Sequence, residues 1–273
     1  MTTQATGAIE SPANPRIKAA LALRERRDRD RTGLTLVDGA RESLRAVQAG
    51  IGIEAAFVCR SLLSSADSTQ VLAELEGGPP VTELSERAYR KLAYGDRTDG
   101  VVLVVRTPST RLEDLVLGTN PLIVVTEDVE KPGNLGAILR SADATGADAV
   151  IAAGGTDLFN PNVVRASVGT VFTVPVAAAS ASVVASWLRD HGVRVVAARV
   201  DATAFHVDAD LTRPVAIVLG SEAEGLSEVW RGPDVEGVRL PMLGAADSLN
   251  VSAAGAVLLY EAWRQRRPAM DVE

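Results

Sequence analysis

The stretch Leu240-Pro-Met-Leu-Gly-Ala-Ala-Asp-Ser-Leu-Asn250 governs how the second half of this chain is interpreted. The short apolar segment before it predicts a strand, and its proline and glycine predict a loop. After the loop, Asp247 or Ser248 is suited to cap a helix with apolar residues at helical spacing. In open α/β sheets, ligands bind near the carboxyl ends of the strands, which places Ser248 and Asn250 for chemistry. The structural alternative makes the same side chains a helix cap and a turn residue.

Outward from this stretch, apolar runs alternate with helical patterns. The predicted strands are Leu122–Thr126, Ala149–Ala152, Val193–Ala197, Ala216–Leu219 and Val238–Leu240. The predicted helices between them are Asn134–Thr145, Asn160–Ser167, Ala181–His191 and Glu222–Trp230. This alternation predicts an α/β fold with a mostly parallel sheet that is covered on both faces. The dinucleotide-binding pattern Gly-x-Gly-x-x-Gly follows none of these strands, which argues against an ordinary dinucleotide site.

The first part of the chain is predicted to form a separate small α/β domain. Its predicted helices are Asn14–Arg31, a segment ending near Gly50, and Ser85–Lys91, and its predicted strands are Leu34–Asp38, Ala55–Val58 and Gly100–Arg106. The segment after this last strand contains Pro108 and little periodicity. We therefore expect an N-terminal domain at 1–107, a linker at 108–119 and a second domain at 120–273.

Composition limits the possible functions. The chain has 273 residues, 47% of them hydrophobic, and a net charge of −7. No apolar run is long enough to span a bilayer and no secretory signal is visible, so we expect a cytoplasmic protein without a membrane partner. The negative charge argues against a protein that coats nucleic acid, but a local arginine patch includes Arg24 and Arg27. This patch is either an RNA-contacting surface or a solvated helix with ion pairs.

Some kinds of site are not indicated. The single cysteine cannot form an internal disulfide, and the sequence has no metal-ligand cluster, no Ser-His-Asp pattern and no phosphate-binding P-loop. We expect no metal cofactor.

Four blocks of sequence, in a fixed order, carry a family resemblance. They are Glu127–Ala142 with the core Pro-Gly-Asn-Leu-Gly-Ala-Ile-Leu-Arg, then Val164–Val176, Ile217–Leu226 and Leu240–Glu261. Together they resemble the signature motifs of the SpoU (TrmH) family of RNA ribose 2′-O-methyltransferases, part of the SPOUT superfamily. The resemblance implies a C-terminal trefoil knot, which periodicity alone does not predict because knots are rare. It also implies an N-terminal substrate-binding domain that resembles a ribosomal protein, matched less specifically by Asp38–Glu42 and Gly100–Val105.

The resemblance also implies roles for individual residues. The residues matching the family's catalytic positions are Asn134, Arg140, Glu222, Ser248 and Asn250. Those matching its binding site for S-adenosylmethionine are Leu219, Gly220, Leu240, Met242, Gly244 and Leu249. Arg165 matches an arginine that contacts the RNA backbone, with a surface ion pair as its alternative. Lys131 departs from the pattern, since an acidic residue or asparagine is frequent at that position.

The implied activity is S-adenosylmethionine-dependent 2′-O-methylation of RNA, with ribosomal RNA as the expected substrate. The family proposal makes Arg140 the base, but a guanidinium has a pKa above about 12, so gripping phosphate and polarising the hydroxyl is physically easier. Family members are dimers, and the apolar residues on several sides of the final helix favour a homodimer. The alternatives are a transfer RNA methyltransferase of the same family and a catalytically silent RNA-binding protein.

Overall fold

The computed structural model describes residues 8–94 and 99–267. Its strands are β1 Leu34–Asp38, β2 Ile53–Val58, β3 Val81–Glu83, β4 Val101–Arg106, β5 Leu122–Glu127, β6 Ala149–Ala153, β7 Val176–Ala179, β8 Arg194–Ala198, β9 Ala204–Phe205, β10 Val215–Leu219 and β11 Val235–Arg239. Its helices are α1 Pro15–Ala22, α2 Arg26–Thr32, α3 Ala40–Gln48, α4 Ala66–Glu74, α5 Glu86–Leu92, α6 Pro132–Thr145, α7 Pro161–Ala166, α8 Ala181–Asp190 and α9 Val251–Arg266. The β3, β7 and β9 strands and the α4 helix were not predicted from the sequence.

The chain divides into two compact units. The first contains the residues up to Pro108 together with Phe159–Thr173, and the second contains Ser109–Leu158 and the chain from Val174 onward. The helix α7 was expected in the second domain but belongs to the first unit, where the Thr35 hydroxyl donates to the Phe159 carbonyl at 2.7 Å. The expected linker groups with the second unit, because Leu112 is buried in that unit's core.

The first unit contains a four-stranded sheet in the order β1-β4-β2-β3. The strand β4 pairs antiparallel with both β1 and β2, and β3 joins β2 in parallel. Helices α1 and α5 supply Ile17, Ala20, Tyr89 and Leu92 to a buried cluster that includes strand residues such as Phe57. This mixed sheet is the small N-terminal α/β fold that the sequence predicts.

The second unit contains a seven-stranded sheet in the order β7-β6-β5-β10-β8-β11-β9. Every pairing in it is parallel. The strands β5, β6 and β10 are buried along their whole length, which explains their continuous apolar sequences. The expectation of a mostly parallel α/β sheet is confirmed.

Parallel pairing brings the ends of β5 and β10 side by side. Thr126 lies opposite Leu219, so the chain leaves both strands at the same edge of the sheet. Helix α9 approaches this edge closely at Gly255, where an added Cβ would lie 2.8 Å from the Leu219 side chain. The carboxyl edge of the sheet is therefore the place where α6, α9 and the loop after β10 can meet.

Two predicted helices differ from the structure. The helix expected at 14–31 is divided, because Glu25 is extended and the buried Arg29 side chain donates to the Leu23 and Arg24 carbonyls that end α1. The helix expected at 222–230 is wrong. Gly225 has a φ of +68°, its N–H donates to the Ser221 carbonyl, and only Glu228–Arg231 forms a 3₁₀ turn.

The cap of the final helix also differs from expectation. Neither Asp247 nor Ser248 caps α9, because the helix begins at Val251 and the Asn250 side chain accepts the Ser252 N–H at 3.0 Å. The trefoil knot implied by the family resemblance stays a prediction. Among the described residues, no helix combines the length and apolar character needed to cross a bilayer.

We expect Arg266 to hold the end of α9 to the sheet. Its guanidinium donates to the carbonyls of Leu211 at 2.7 Å, Asn120 at 2.9 Å and Pro121 at 3.2 Å. Arg266→Ala should destabilise the protein by about 2 kcal/mol, because charged hydrogen bonds to half-buried carbonyls are lost. The control Arg60→Ala removes only an exposed ion pair with Glu83 and should change little. Equal urea midpoints for the two variants would contradict this role.

Candidate active site

Three polar side chains meet at the carboxyl edge of the parallel sheet. The Asn134 amide nitrogen donates to Glu222 Oε1 at 3.0 Å, and the Asn250 amide nitrogen donates to the same oxygen at 2.7 Å. The Asn250 nitrogen also lies 3.1 Å from Asn134 Oδ1. These residues are 88 and 28 positions from Glu222 in the sequence, so one carboxylate joins three separate segments.

Each segment has a local reason for its position. Asn134 lies in the first turn of α6, which follows β5 and has Pro132 at its first position. Asn250 uses its amide oxygen to cap α9, so its amide nitrogen remains available to donate to Glu222. Glu222 follows Gly220 at the end of β10. We refer to Asn134, Glu222 and Asn250 as the amide–carboxylate group.

Lys131 supplies a charge partner for this group. Its ammonium pairs with Glu222 Oε2, so both carboxylate oxygens of Glu222 accept hydrogen bonds. The Lys131 ammonium and then the Asn134 amide lower the pKa of Glu222 below its usual value. The carboxylate therefore stays ionised near neutral pH and is a poor proton acceptor. Sequence reasoning treated Lys131 only as a departure from the family pattern.

A tight turn presents Glu222 to its partners. Ser221 and Gly225 form an antiparallel bridge, and a Cβ added at Gly220 would lie 2.3 Å from the Gly225 carbonyl oxygen. The turn's own backbone thus requires glycine at 220. The sequence-based reason, close approach of a ligand, is not needed to explain this residue.

A buried carboxylate closes the base of the same turn. Glu127, the last residue of β5, is 5% exposed. It accepts the Ser227 N–H and the Ser227 hydroxyl, each at 2.7 Å. The next residue back, Leu226, is buried in the core of the unit. Sequence reasoning missed Glu127, although an acidic residue at the end of an apolar strand is a signal that could have found it.

A cleft of about 380 Å³ opens beside the amide–carboxylate group. Its lining residues are Asp128, Val129, Glu130, Lys131, Asn134, Ser221, Glu222, Ala223, Glu224 and Val251. Carboxylates outnumber cations in this set, so the cleft favours a ligand with positive charge. In the described ranges, no group of histidine, cysteine or carboxylate side chains has the arrangement of a metal site.

The residues predicted to bind the methyl donor differ in exposure. Leu219 is 1% exposed and packs toward Gly255, which leaves only its backbone for a ligand. In the loop after β11, Leu240 and Met242 are half-buried and Gly244 is exposed. Leu249 is 43% exposed and Leu243 is 99% exposed, so both present apolar surface to solvent. This loop therefore has uncovered apolar surface beside Asn250.

Two predicted catalytic residues stand apart from the amide–carboxylate group. Arg140 lies on the exposed side of α6. Within the described ranges, its side chain makes no hydrogen bond or ion pair with another residue. Ser248 is exposed, with a weak 3.5 Å contact to its neighbour Asp247. Contacts within one chain therefore do not explain the catalytic roles predicted for Arg140 and Ser248.

The predicted RNA-contacting arginines lie in the first unit and differ from each other. Arg27 is exposed on α2. Arg24 and Arg165 are half-buried, and both contact Tyr94: Arg24 lies over its ring, and Arg165 donates to its carbonyl at 2.7 Å. These two side chains are therefore already engaged within the protein.

Known proteins match both units. A family model described as the SpoU rRNA Methylase family matches residues 121–260, and a model described as the MRM3-like substrate binding domain matches residues 14–103. A curated relative is the 23S rRNA (uridine(2479)-2′-O)-methyltransferase of Streptomyces viridochromogenes, 38% identical over 61% of this chain and 60% of that protein.

Solved structures cover nearly the whole chain. A crystal structure of an RNA 2′-O ribose methyltransferase is 46% identical, with a TM-score of 0.84 over 95% of this chain and 99% of that one. An rRNA methyltransferase from Sinorhizobium meliloti, solved with S-adenosylmethionine bound, is 30% identical, with a TM-score of 0.87 over 96% and 99%.

We expect Glu127→Gln to loosen the turn at 220–227. The neutral amide of glutamine keeps one acceptor oxygen but has no charge, so the two charge-assisted hydrogen bonds from Ser227 are replaced by weaker neutral ones. Amide hydrogen exchange in this segment, followed by mass spectrometry, should accelerate about tenfold or more. Glu130→Gln is the matched control, because Glu130 is exposed in the same cleft. Unchanged exchange in Glu127→Gln would show that the turn does not depend on this carboxylate.

Proposed function

Because this chain belongs to the SpoU rRNA Methylase family, we propose that it transfers a methyl group from S-adenosylmethionine to a ribose 2′-hydroxyl of ribosomal RNA. The observation that carries the proposal is the amide–carboxylate group. Asn134, Glu222 and Asn250 are the matched family positions that converge, from distant parts of the sequence, at the ligand-binding edge of a parallel sheet.

The methyl donor fits the chemistry of this edge. S-adenosylmethionine supplies an electrophilic methyl group on a positively charged sulfur. The excess of carboxylates around the cleft is suited to that charge. The exposed apolar surface of Leu249 and the half-buried Leu240 and Met242 are suited to a purine. We assign these three residues, with the backbone of Leu219, Gly220 and Gly244, to donor binding.

Positioning of the acceptor hydroxyl is the main task of the polar residues. We assign Arg140 to gripping the phosphate next to the target ribose, since its planar guanidinium can make two parallel hydrogen bonds and stays protonated. Asn134 and Asn250 are fixed by Glu222, and they hold the acceptor ribose beside the donor. Good orientation of reacting groups is worth about 7–11 kcal/mol of barrier, more than acid–base help usually supplies. We assign Ser248 to contact with the RNA or the donor in the assembled complex.

Ribosomal RNA is the proposed acceptor, and the cytoplasm is the proposed location. The Streptomyces relative carries 23S rRNA in its name, and the Sinorhizobium structure is titled an rRNA methyltransferase. The match of residues 14–103 to a substrate-binding domain model supports a role for the first unit in holding the RNA. We assign Arg27 to phosphate contact, because its guanidinium is exposed on α2.

We also propose a homodimer that forms through α9. Three large side chains on this helix stay exposed: Val257 at 42%, Tyr260 at 50% and Trp263 at 39%. The rings of Tyr260 and Trp263 lie edge to face with centroids 6.3 Å apart, so they form a continuous apolar patch. Such a patch on a helix that is also buried on its inner side is typical of a subunit interface.

Arg140→Ala should separate transfer from donor binding. We expect single-turnover methyl transfer to fall by about 100-fold or more, because the variant loses a group that positions the acceptor. Affinity for S-adenosylmethionine, measured by calorimetry, should stay within a few-fold. Arg140→Lys should restore little, since an ammonium lacks the bidentate fork.

The control for this experiment is Arg189→Ala, which removes an exposed arginine from α8. It should leave both measurements near wild type. Near-normal transfer by Arg140→Ala would remove Arg140 from the mechanism.

The dimer proposal predicts a particle of twice the 28.6 kDa chain mass by light scattering. Tyr260→Glu should shift the population toward monomer, because a carboxylate would be buried in an apolar interface. Val183→Glu places the same charge at a residue on α8 that is 51% exposed and should leave the dimer intact. A wild-type monomer at micromolar concentration would contradict the proposal.

A further inference from the structure

Tyr94 is unlike the other aromatic residues of the first unit. Phe57, Tyr89, Phe159 and Phe172 are each at most 8% exposed. Tyr94 is half-buried, and it does not belong to the hydrophobic cluster around Tyr89. Of the described aromatic residues in this unit, Tyr94 alone is not fully buried. Core packing therefore does not account for it.

Three side chains from distant elements hold Tyr94. Its N–H donates to Asp38 Oδ2 at 2.6 Å, and its carbonyl accepts a hydrogen bond from Arg165 at 2.7 Å. The Arg24 guanidinium lies over the ring, 4.1 Å from its centroid. The backbone and the ring are thus both fixed, which removes much of the entropy cost that a free surface tyrosine would pay on binding.

The Arg24 guanidinium is itself anchored. One of its nitrogens donates to the carbonyls of Leu92 at 3.0 Å and Ala93 at 3.1 Å, at the end of α5. It is therefore held over one face of the tyrosine ring. The N–H groups that bond these carbonyls are not available to a phosphate. The guanidinium is therefore better placed to pack on the tyrosine ring than to bind a phosphate.

We propose that Tyr94, backed by Arg24, is a stacking site for an unpaired nucleobase of the RNA substrate. This inference rests on the proposed function only in taking RNA as the substrate. Unstacked bases bind on aromatic rings and arginine planes, and every base has a π face, so the site selects single-stranded nucleotides rather than a particular base.

The groups around Tyr94 use hydrogen-bonding atoms within the protein, which favours a base over a phosphate as the ligand. The Asp38 carboxylate is 6% exposed and hydrogen-bonds directly to the Tyr94 backbone, and its Oδ1 has no hydrogen-bond partner. This carboxylate offsets part of the positive charge of Arg24 and Arg165, and the π face of a neutral base does not depend on that charge for binding. Arg165, which is predicted to contact the RNA backbone, also helps to position Tyr94 through its hydrogen bond to the Tyr94 carbonyl.

The test uses a single-stranded RNA oligonucleotide that carries one 2-aminopurine, with a duplex of the same sequence for comparison. Wild type should bind the single strand and quench its fluorescence by stacking, and it should prefer the single strand to the duplex. Tyr94→Phe keeps the ring and should bind within twofold of wild type. Tyr94→Leu should bind about 5- to 100-fold more weakly, without quenching.

The salt dependence of RNA affinity distinguishes a stacking contact from a phosphate contact. In Tyr94→Leu, the slope of log affinity against log salt should stay at the wild-type value, because no phosphate contact is lost. Arg27→Ala, which removes a proposed phosphate contact, should lower this slope by about one unit and keep the quenching. Circular dichroism checks that each variant is folded. No quenching by wild type, or equal affinities for wild type and Tyr94→Leu, would overturn the stacking site.

Methyl transfer is measured separately on unmodified 23S rRNA. The stacking site predicts a KM for RNA raised about as much as the oligonucleotide affinity falls, with kcat nearly unchanged. If wild type transfers no methyl group but the oligonucleotide results hold, the proposed activity fails and the stacking site stands. If wild type methylates RNA and Tyr94→Leu shows the same KM, the stacking site is wrong while the activity stands.

Discussion

The carboxylate of Glu222 connects the start of α6, the end of β10 and the start of α9. Two amide nitrogens share its Oε1, and the Lys131 ammonium pairs with Oε2. An ionised carboxylate binds such donors more strongly than a neutral acceptor would. The turn that carries Glu222 is held in place by Glu127 at its base and by the close backbone approach at Gly220. The geometry of the proposed active site depends on these contacts.

The parallel sheet explains why such distant residues can meet. Its buried strands β5 and β10 are adjacent and in register, so the loops that follow them leave at one edge. Helices α6 and α9 begin at this edge, and their first turns present Asn134 and Asn250. The first unit contributes differently. It offers an exposed arginine on α2 and one fixed aromatic ring, Tyr94.

The sequence predicted the features that depend on regular periodicity. Fully buried strands such as β5 and β10 have continuous apolar runs, and α6 has a proline at its start and a glycine after its end. The segment 222–230 was mispredicted because a backbone bridge at Gly225, which leaves little trace in side-chain periodicity, overrides its helical pattern. Glu127 was missed because its role depends on Ser227, 100 residues away. Short edge strands such as β9 have too few residues to show alternation.

The activity proposed for this protein is methylation of a ribose hydroxyl of ribosomal RNA. The most direct measurement incubates the protein with S-adenosylmethionine carrying a tritiated methyl group and with unmodified 23S rRNA, then hydrolyses the RNA in alkali. A 2′-O-methyl group blocks cleavage of the adjacent phosphodiester, so the account predicts that the label appears in an alkali-resistant dinucleotide from one site. Label in mononucleotides, which would indicate methylation of a base, or no incorporated label at all, would contradict it.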